Sequence, residues 1–158
     1  MNRASVSPRS KNRPAPTLVE AVMTRRLVTL SPHNSFEEAV AVMANQPFRH
    51  LLVVDSGGRL AGVLSDRDLL RGIIRAPDWN NTPVTELMAR DPVVVGLKTS
   101  LSAAVRKILQ HRVNCLPVLD GSRRVQGIIT STDLLRAFLR LLRHSERAGP
   151  KRARTTKA

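Results

Sequence analysis

The sequence predicts an α/β (α+β) fold: two tandem β-α-β-β-α units packed face to face about a pseudo-twofold axis. Three observations lead there. Sliding the chain by 65 positions superimposes residues 23–71 on 88–136 without a gap, and fifteen of those 49 positions are identical; chance in such a composition would give on the order of four. Each copy holds a helix-period apolar stripe followed by two short apolar runs separated by turn residues. A unit of about fifty residues buries too little surface to stand alone, so each copy must cover the other. The identities include Met23/Met88, Ser35/Ser100, Ala39/Ala104, Asp55/Asp120 and Gly62/Gly127, and end in Asp68-Leu69-Leu70-Arg71 against Asp133-Leu134-Leu135-Arg136.

In the first copy, Val28-Thr29-Leu30 reads as a short extended segment closed by Pro32. Ser35 with Glu38 three residues on makes a capping box. Phe36, Ala39, Val40 and Met43 then fall at i, i+3, i+4 and i+7, the stripe of a helix packed on one face. Pro47 marks a point beyond which that helix cannot easily run. Leu51–Val54 and Leu60–Leu64 are expected to form a hairpin across Asp55-Ser56-Gly57-Gly58. A last helix begins near Ser65. The second copy repeats the series with a helix from Ser100, strands 116–119 and 125–129, and a helix from near Thr130. The continuous apolar character of these strands implies burial on both faces, by helices and by the sister copy.

Charge is concentrated at the ends. The formal charge is +14, yet residues 1–16 carry four basic groups and no acid, and residues 144–158 carry five against Glu146. Both ends are rich in Pro, Ser, Thr and Ala and read as disordered tails. They suit salt-sensitive contact with nucleic acid, or serve as solvated ends that aid solubility. The expected organisation is a tail 1–16, a repeat 17–75, a linker 76–83, a repeat 84–143 and a tail 144–158. The lone Cys115 excludes an internal disulfide framework and suits a reducing cytoplasm. Neither a secretory leader nor a membrane-spanning apolar run is visible, so a soluble cytoplasmic protein is expected.

The chemistry-bearing feature is the junction of the last strand and last helix. It reads Gly62-Val63-Leu64-Ser65-Asp66-Arg67-Asp68 and Gly127-Ile128-Ile129-Thr130-Ser131-Thr132-Asp133. A hydroxyl at a helix start lies beside free backbone N–H groups, where phosphate is welcome. A carboxylate one turn on can accept paired hydrogen bonds from the vicinal hydroxyls of a ribose. The glycine would let a flat ring approach the strand. Ser65 with Asp68, and Thr130 with Asp133, are equally the pattern of an ordinary capping box. Arg67 adds a cation where phosphate would sit; its counterpart Thr132 is neutral, so the two inter-repeat clefts should differ toward charged ligands.

Together with Arg49–Asp55 and Cys115–Asp120, these stretches resemble the paired repeats of the CBS-domain family, the Bateman module. The likeness runs over residues 17–143, and among stand-alone members it is most similar to the small regulatory proteins of the acetoin-utilisation type. The resemblance implies binding of AMP, ADP, ATP or S-adenosylmethionine, no obligatory cofactor and no enzymatic activity. It implies that Asp68 and Asp133 hold ribose hydroxyls while Ser65 and Thr130 approach phosphate. It places Thr29 and Val94, at the ends of the first strands, and His50 and Cys115, before the second, at the border of the base or phosphate. Leu52, where the second copy has Pro117, is expected to relax the loop beside the first cleft.

Other constellations carry less. His33, His50, His111 and His144 lack metal-ligand spacing, so no metal is expected. Cys115 reads as a buried, inert thiol. Asp66 and Asp68 sit two apart on a helix and make a poor acid–base pair. No phosphate-cradling glycine loop or nucleophile triad is present. Trp79 reads as a packing plug in the linker. Leu134, Leu135, Phe138, Leu141 and Leu142, widened by Leu139, form a stripe opposite Arg136, Arg140 and Arg143. That stripe exceeds what one chain covers, so a homodimer through the terminal helices is expected, along with a regulated partner protein of unknown identity.

Overall fold

In the computed structural model, residues 18–75 and 79–147 are described, with the backbone alone for Arg75, Trp79 and residues 144–147. The expected basic tail 1–16 and the end beyond Arg147 lie outside the described residues, as does the side chain of Trp79.

The first repeat comprises β1 (Thr29–Leu30), α1 (Phe36–Ala44), β2 (His50–Val54), β3 (Leu60–Ser65) and α2 (Asp66–Arg75). The second comprises β4 (Val95–Gly96), α3 (Leu101–His111), β5 (Cys115–Leu119), β6 (Val125–Thr130) and α4 (Ser131–Arg147). Each forms a three-stranded sheet in which the short leading strand pairs parallel with the second, and the second antiparallel with the third. α4 runs four residues past the expected end of its repeat at 143, so residues 144–147 are helix rather than tail.

Local chemistry explains the elements. Ser35 Oγ accepts from the Glu38 N–H while Glu38 Oε2 accepts from the Ser35 N–H, a complete capping box on α1. In α3 the Ser100 hydroxyl accepts from Ala103 N, and with no acid at that third position the reciprocal bond is missing. Both hairpin turns are held by an aspartate: Asp55 Oδ1 accepts from the N–H groups of Gly57 and Arg59, and Asp120 Oδ1 from those of Ser122 and Arg124. Leu52 and Pro117 both lie mid-strand in the same register, opposite Val63 and Ile128. The exchange therefore does not loosen a loop beside the cleft, correcting that expectation.

The cores do not respect the expected boundaries. Val19 and Met23, preceding the first sheet, are buried with Val95, Ala104, Leu116, Val118 and Ile129 of the second repeat. Val84, preceding the second sheet, is buried with Leu30, Phe36, Leu51, Val53 and Leu64 of the first, with Leu87 and Met88 packed alongside. Each leading segment thus completes the other repeat's core. A third cluster, Leu52, Val63, Cys115 and Ile128, joins the two sheets. The crossings are bonded: Thr24 and Ile128 exchange N–H···O bonds of 2.9 and 3.0 Å, and Ala89 and Val63 exchange bonds of 2.8 and 3.0 Å.

These crossings assign the two repeated glycines. A Cβ on Gly62 would lie 2.5 Å from Met88 Sδ and 2.8 Å from the Ala89 carbonyl; on Gly127 it would lie 2.8 Å from the Thr24 carbonyl and 2.9 Å from Met23 Sδ. The space each glycine leaves is filled by the exchanged segment. The expectation that it admits a ligand's ring is corrected accordingly.

Candidate functional site

β3 ends at Ser65 and α2 begins with the next residue, so the chain turns sharply from sheet to helix there. Asp68 closes that turn: its Oδ2 accepts from Ser65 N at 2.9 Å and from Ser65 Oγ at 2.5 Å, while its own N–H donates to Ser65 Oγ at 3.2 Å. The related junction repeats the arrangement, with Asp133 Oδ2 accepting from Thr130 N at 2.9 Å and Thr130 Oγ1 at 2.7 Å. One oxygen of each carboxylate is thus committed to the helix start. The other, Oδ1, faces an arginine one turn on: Arg71 at 3.7 Å from Asp68 and Arg136 at 4.0 Å from Asp133. The Asp68 side chain keeps 24% of its exposure and that of Asp133 only 11%, so Asp68 is the more accessible acceptor.

Asp68 opens onto a cleft of about 500 Å³ between the repeats. One wall is the first repeat's His50, Ser65, Asp66, Arg67 and Asp68, with Arg49 and Arg71 at its edge. The exchanged segment supplies Ala89 and Asp91–Val93, and the second repeat supplies Arg112–Cys115. The junction is stiffened from behind, since Asp66 N donates to the Arg49 carbonyl at 3.1 Å, and Ser131 N likewise to that of Asn114 at 3.0 Å. Arg49 also reaches Asp66 at 3.8 Å.

Of the ten residues singled out from the sequence, His50, Ser65, Arg67, Asp68 and Cys115 line this cleft. Thr130, Thr132 and Asp133 stand at the junction related by the pseudo-twofold axis, away from it. Thr29, exposed and paired to Leu52 in β1, and Val94 do not line it. β4 starts only at Val95, and Val93 is the residue of that segment that reaches the cleft. Sequence reasoning missed Arg49, Asp66, Arg71, Asp91, Arg112 and Asn114 as cleft residues. Arg71 carried a readable signal, lying three residues after Asp68 in the repeated Asp-Leu-Leu-Arg run. Arg112 carried none, because the first copy has Pro47 at that position.

Burial is the main influence on two cleft groups. It holds the His50 imidazole below its usual pKa, partly opposed by the Asp66 and Asp68 carboxylates, while Arg49 lowers it further. It pushes the Cys115 thiol up to about 12, leaving it protonated and a poor nucleophile. Among the described residues no three His, Cys, Asp or Glu side chains gather as a metal would require. The site offers a carboxylate, a hydroxyl and guanidinium groups around a hollow, the means to hold a sugar and an anion.

The CBS domain family model matches residues 19–75 and 84–140. The chain is 34% identical over 117 residues to the CBS domain-containing protein YhcV of Bacillus subtilis, covering 73% of this chain and 81% of that protein. Among solved structures, a putative acetoin utilization protein (AcuB) from Vibrio cholerae superposes with a TM-score of 0.76 at 30% identity, over 85% of this chain and 98% of that one. CBSX2, solved in complex with AMP, gives 0.73 at 30% identity, over 79% and 98%. The enzymes among its curated relatives are much longer, and this chain spans 23–25% of the first of them. With both repeats matched in order, the chain belongs to the CBS-domain family as a tandem pair.

Proposed function

We propose that the cleft binds an adenine nucleotide and that the chain acts as a non-enzymatic sensor, passing the ligand state to a partner protein. The observation that carries this reading is the shared cleft itself. The Ser65–Asp68 junction of one repeat opens toward the Arg112–Cys115 segment of the other, so a bound nucleotide would touch both. Asp68 Oδ1 would accept the ribose hydroxyls, the Ser65 hydroxyl and the first turn of α2 would meet phosphate, and Arg67 would add charge there. Asp133 and Thr130 would serve the related junction. CBSX2, with AMP bound, supports the class of ligand. A ligand that binds one arrangement of the repeats better than another shifts the population toward it, which is the signal a partner reads.

Thermal shift of the full chain with AMP, ATP and S-adenosylmethionine is the test. At least one ligand should raise the melting temperature in wild type, and the rise should vanish when Asp68→Ala and Asp133→Ala are combined. Unchanged melting with every ligand at millimolar concentration would overturn the reading.

A further inference from the structure

The cleft's cations are not equivalent. Arg49 lies near Asp66 and Arg71 near Asp68, at 3.8 and 3.7 Å. Arg67 and Arg112 have no ion-pair partner among the described residues, although both line the cleft. Arg67 belongs to the first repeat and Arg112 to the second, so each repeat brings one such cation to the lining. Asp91, on the exchanged segment, is the cleft's one acid without an ion pair among the described residues, and two guanidinium groups outnumber it.

Arg112 has a second peculiarity. It caps α3 in the left-handed region, at φ 53°, where glycine is the residue of choice and any Cβ crowds the following carbonyl. The first repeat places Pro47 there, which cannot adopt that angle. An arginine at a glycine position, facing a cleft and unpaired, is a backbone cost with a functional reading available.

We propose, resting on the nucleotide reading above, that Arg112 grips the phosphate chain from the second repeat, as Arg67 does from the first. The cleft then favours adenosine phosphates over adenosyl compounds without phosphate, and the phosphate chain ties the two repeats together. Guanidinium forks suit phosphate oxygens bidentately, whereas a thioether or sulfonium side chain gives them no anion of comparable charge.

Titration calorimetry on the full chain tests this with ATP, 5′-methylthioadenosine and tripolyphosphate, on wild type, Arg112→Gln and Arg112→Gly. Wild type should bind ATP at least tenfold more tightly than 5′-methylthioadenosine. Both variants should lose tenfold or more in ATP affinity with 5′-methylthioadenosine unaffected, and Arg112→Gly should melt no lower than wild type because the strain is relieved. An ATP loss under twofold, or an equal loss for both adenosine compounds, would overturn the proposal. If tripolyphosphate binds through Arg112 while neither adenosine compound binds, the phosphate grip stands and the adenosine reading fails.

Discussion

Asp68 has two tasks that compete for one carboxylate. Oδ2 holds the start of α2 through Ser65, and only Oδ1 is left for a ligand. Asp68→Ala should therefore lower stability by about 1 kcal/mol through the lost cap, besides removing the ribose acceptor. Asp68→Asn keeps an acceptor oxygen and should melt closer to wild type in urea denaturation while still binding nucleotide less tightly. His50 gives a separate prediction in pH. Its folded-state pKa lies below the ordinary 6.5 because burial disfavours the imidazolium. The unfolded chain thus binds more protons between those two values, and its contribution to stability falls as pH drops through 6.5 toward the folded value. Urea midpoints of wild type should decline over that window more steeply than those of His50→Gln; parallel curves would refute the assignment. At this scale the sequence was readable where a residue type recurred with its partner, as in Ser65/Asp68 and Thr130/Asp133. It was silent on Arg112 and Asp91, whose place in the cleft depends on how one repeat meets the other.

Helices and hairpins were legible because their causes are local: a capping serine, a stripe of period 3.6, and an aspartate two residues before a turn N–H. The exchange of leading segments was not. Both segments have matching patterns, Val19 with Met23 and Val84 with Met88, so nothing in the order of residues says which core each one joins. The consequence can be measured. Val19 is fully buried among residues of β4, α3, β5 and β6, so Val19→Ala should loosen the second repeat, although it precedes the first. Truncating this smaller core side chain should cost about 1–3 kcal/mol. Hydrogen exchange should show amides of β5 and β6 losing more protection than those of β2 and β3, and the opposite order would disprove the exchange. Gly62→Ala probes the other crossing, where the segment leading the second repeat meets the first, because its new methyl would meet Met88 and the Ala89 backbone. A loss of roughly 1–3 kcal/mol is expected from the forced shift.

For the molecule as a whole, the two outward helices leave much apolar surface uncovered. On α2, Leu70 and Ile74 are 63% and 84% exposed; on α4, Leu135 and Phe138 are 63% and 54% exposed, with Leu139, Leu141 and Leu142 also open. The α4 stripe was visible in the sequence; among its described apolar side chains only Leu134 and Ala137 turn inward to the core. The α2 contribution was not read from the sequence: of Leu69, Leu70, Ile73 and Ile74 only Leu69 reaches the core, and the other three are exposed. So many large apolar side chains open on two helices are more than single chains ordinarily leave in water, and a twofold dimer would bury the same face on each copy. The α2 half begins at Asp66, on the rim of the cleft, so a dimer through this face would place the ligand site one helix away from the partner copy. Sedimentation velocity should find wild type dimeric at micromolar concentration. Ile74→Glu with Phe138→Glu should sediment as a monomer with an unchanged far-ultraviolet spectrum, because neither side chain supports the core. A wild type that stays monomeric at the highest soluble concentration would rule out self-association through these helices, and the patch would then have to be tested against a different protein.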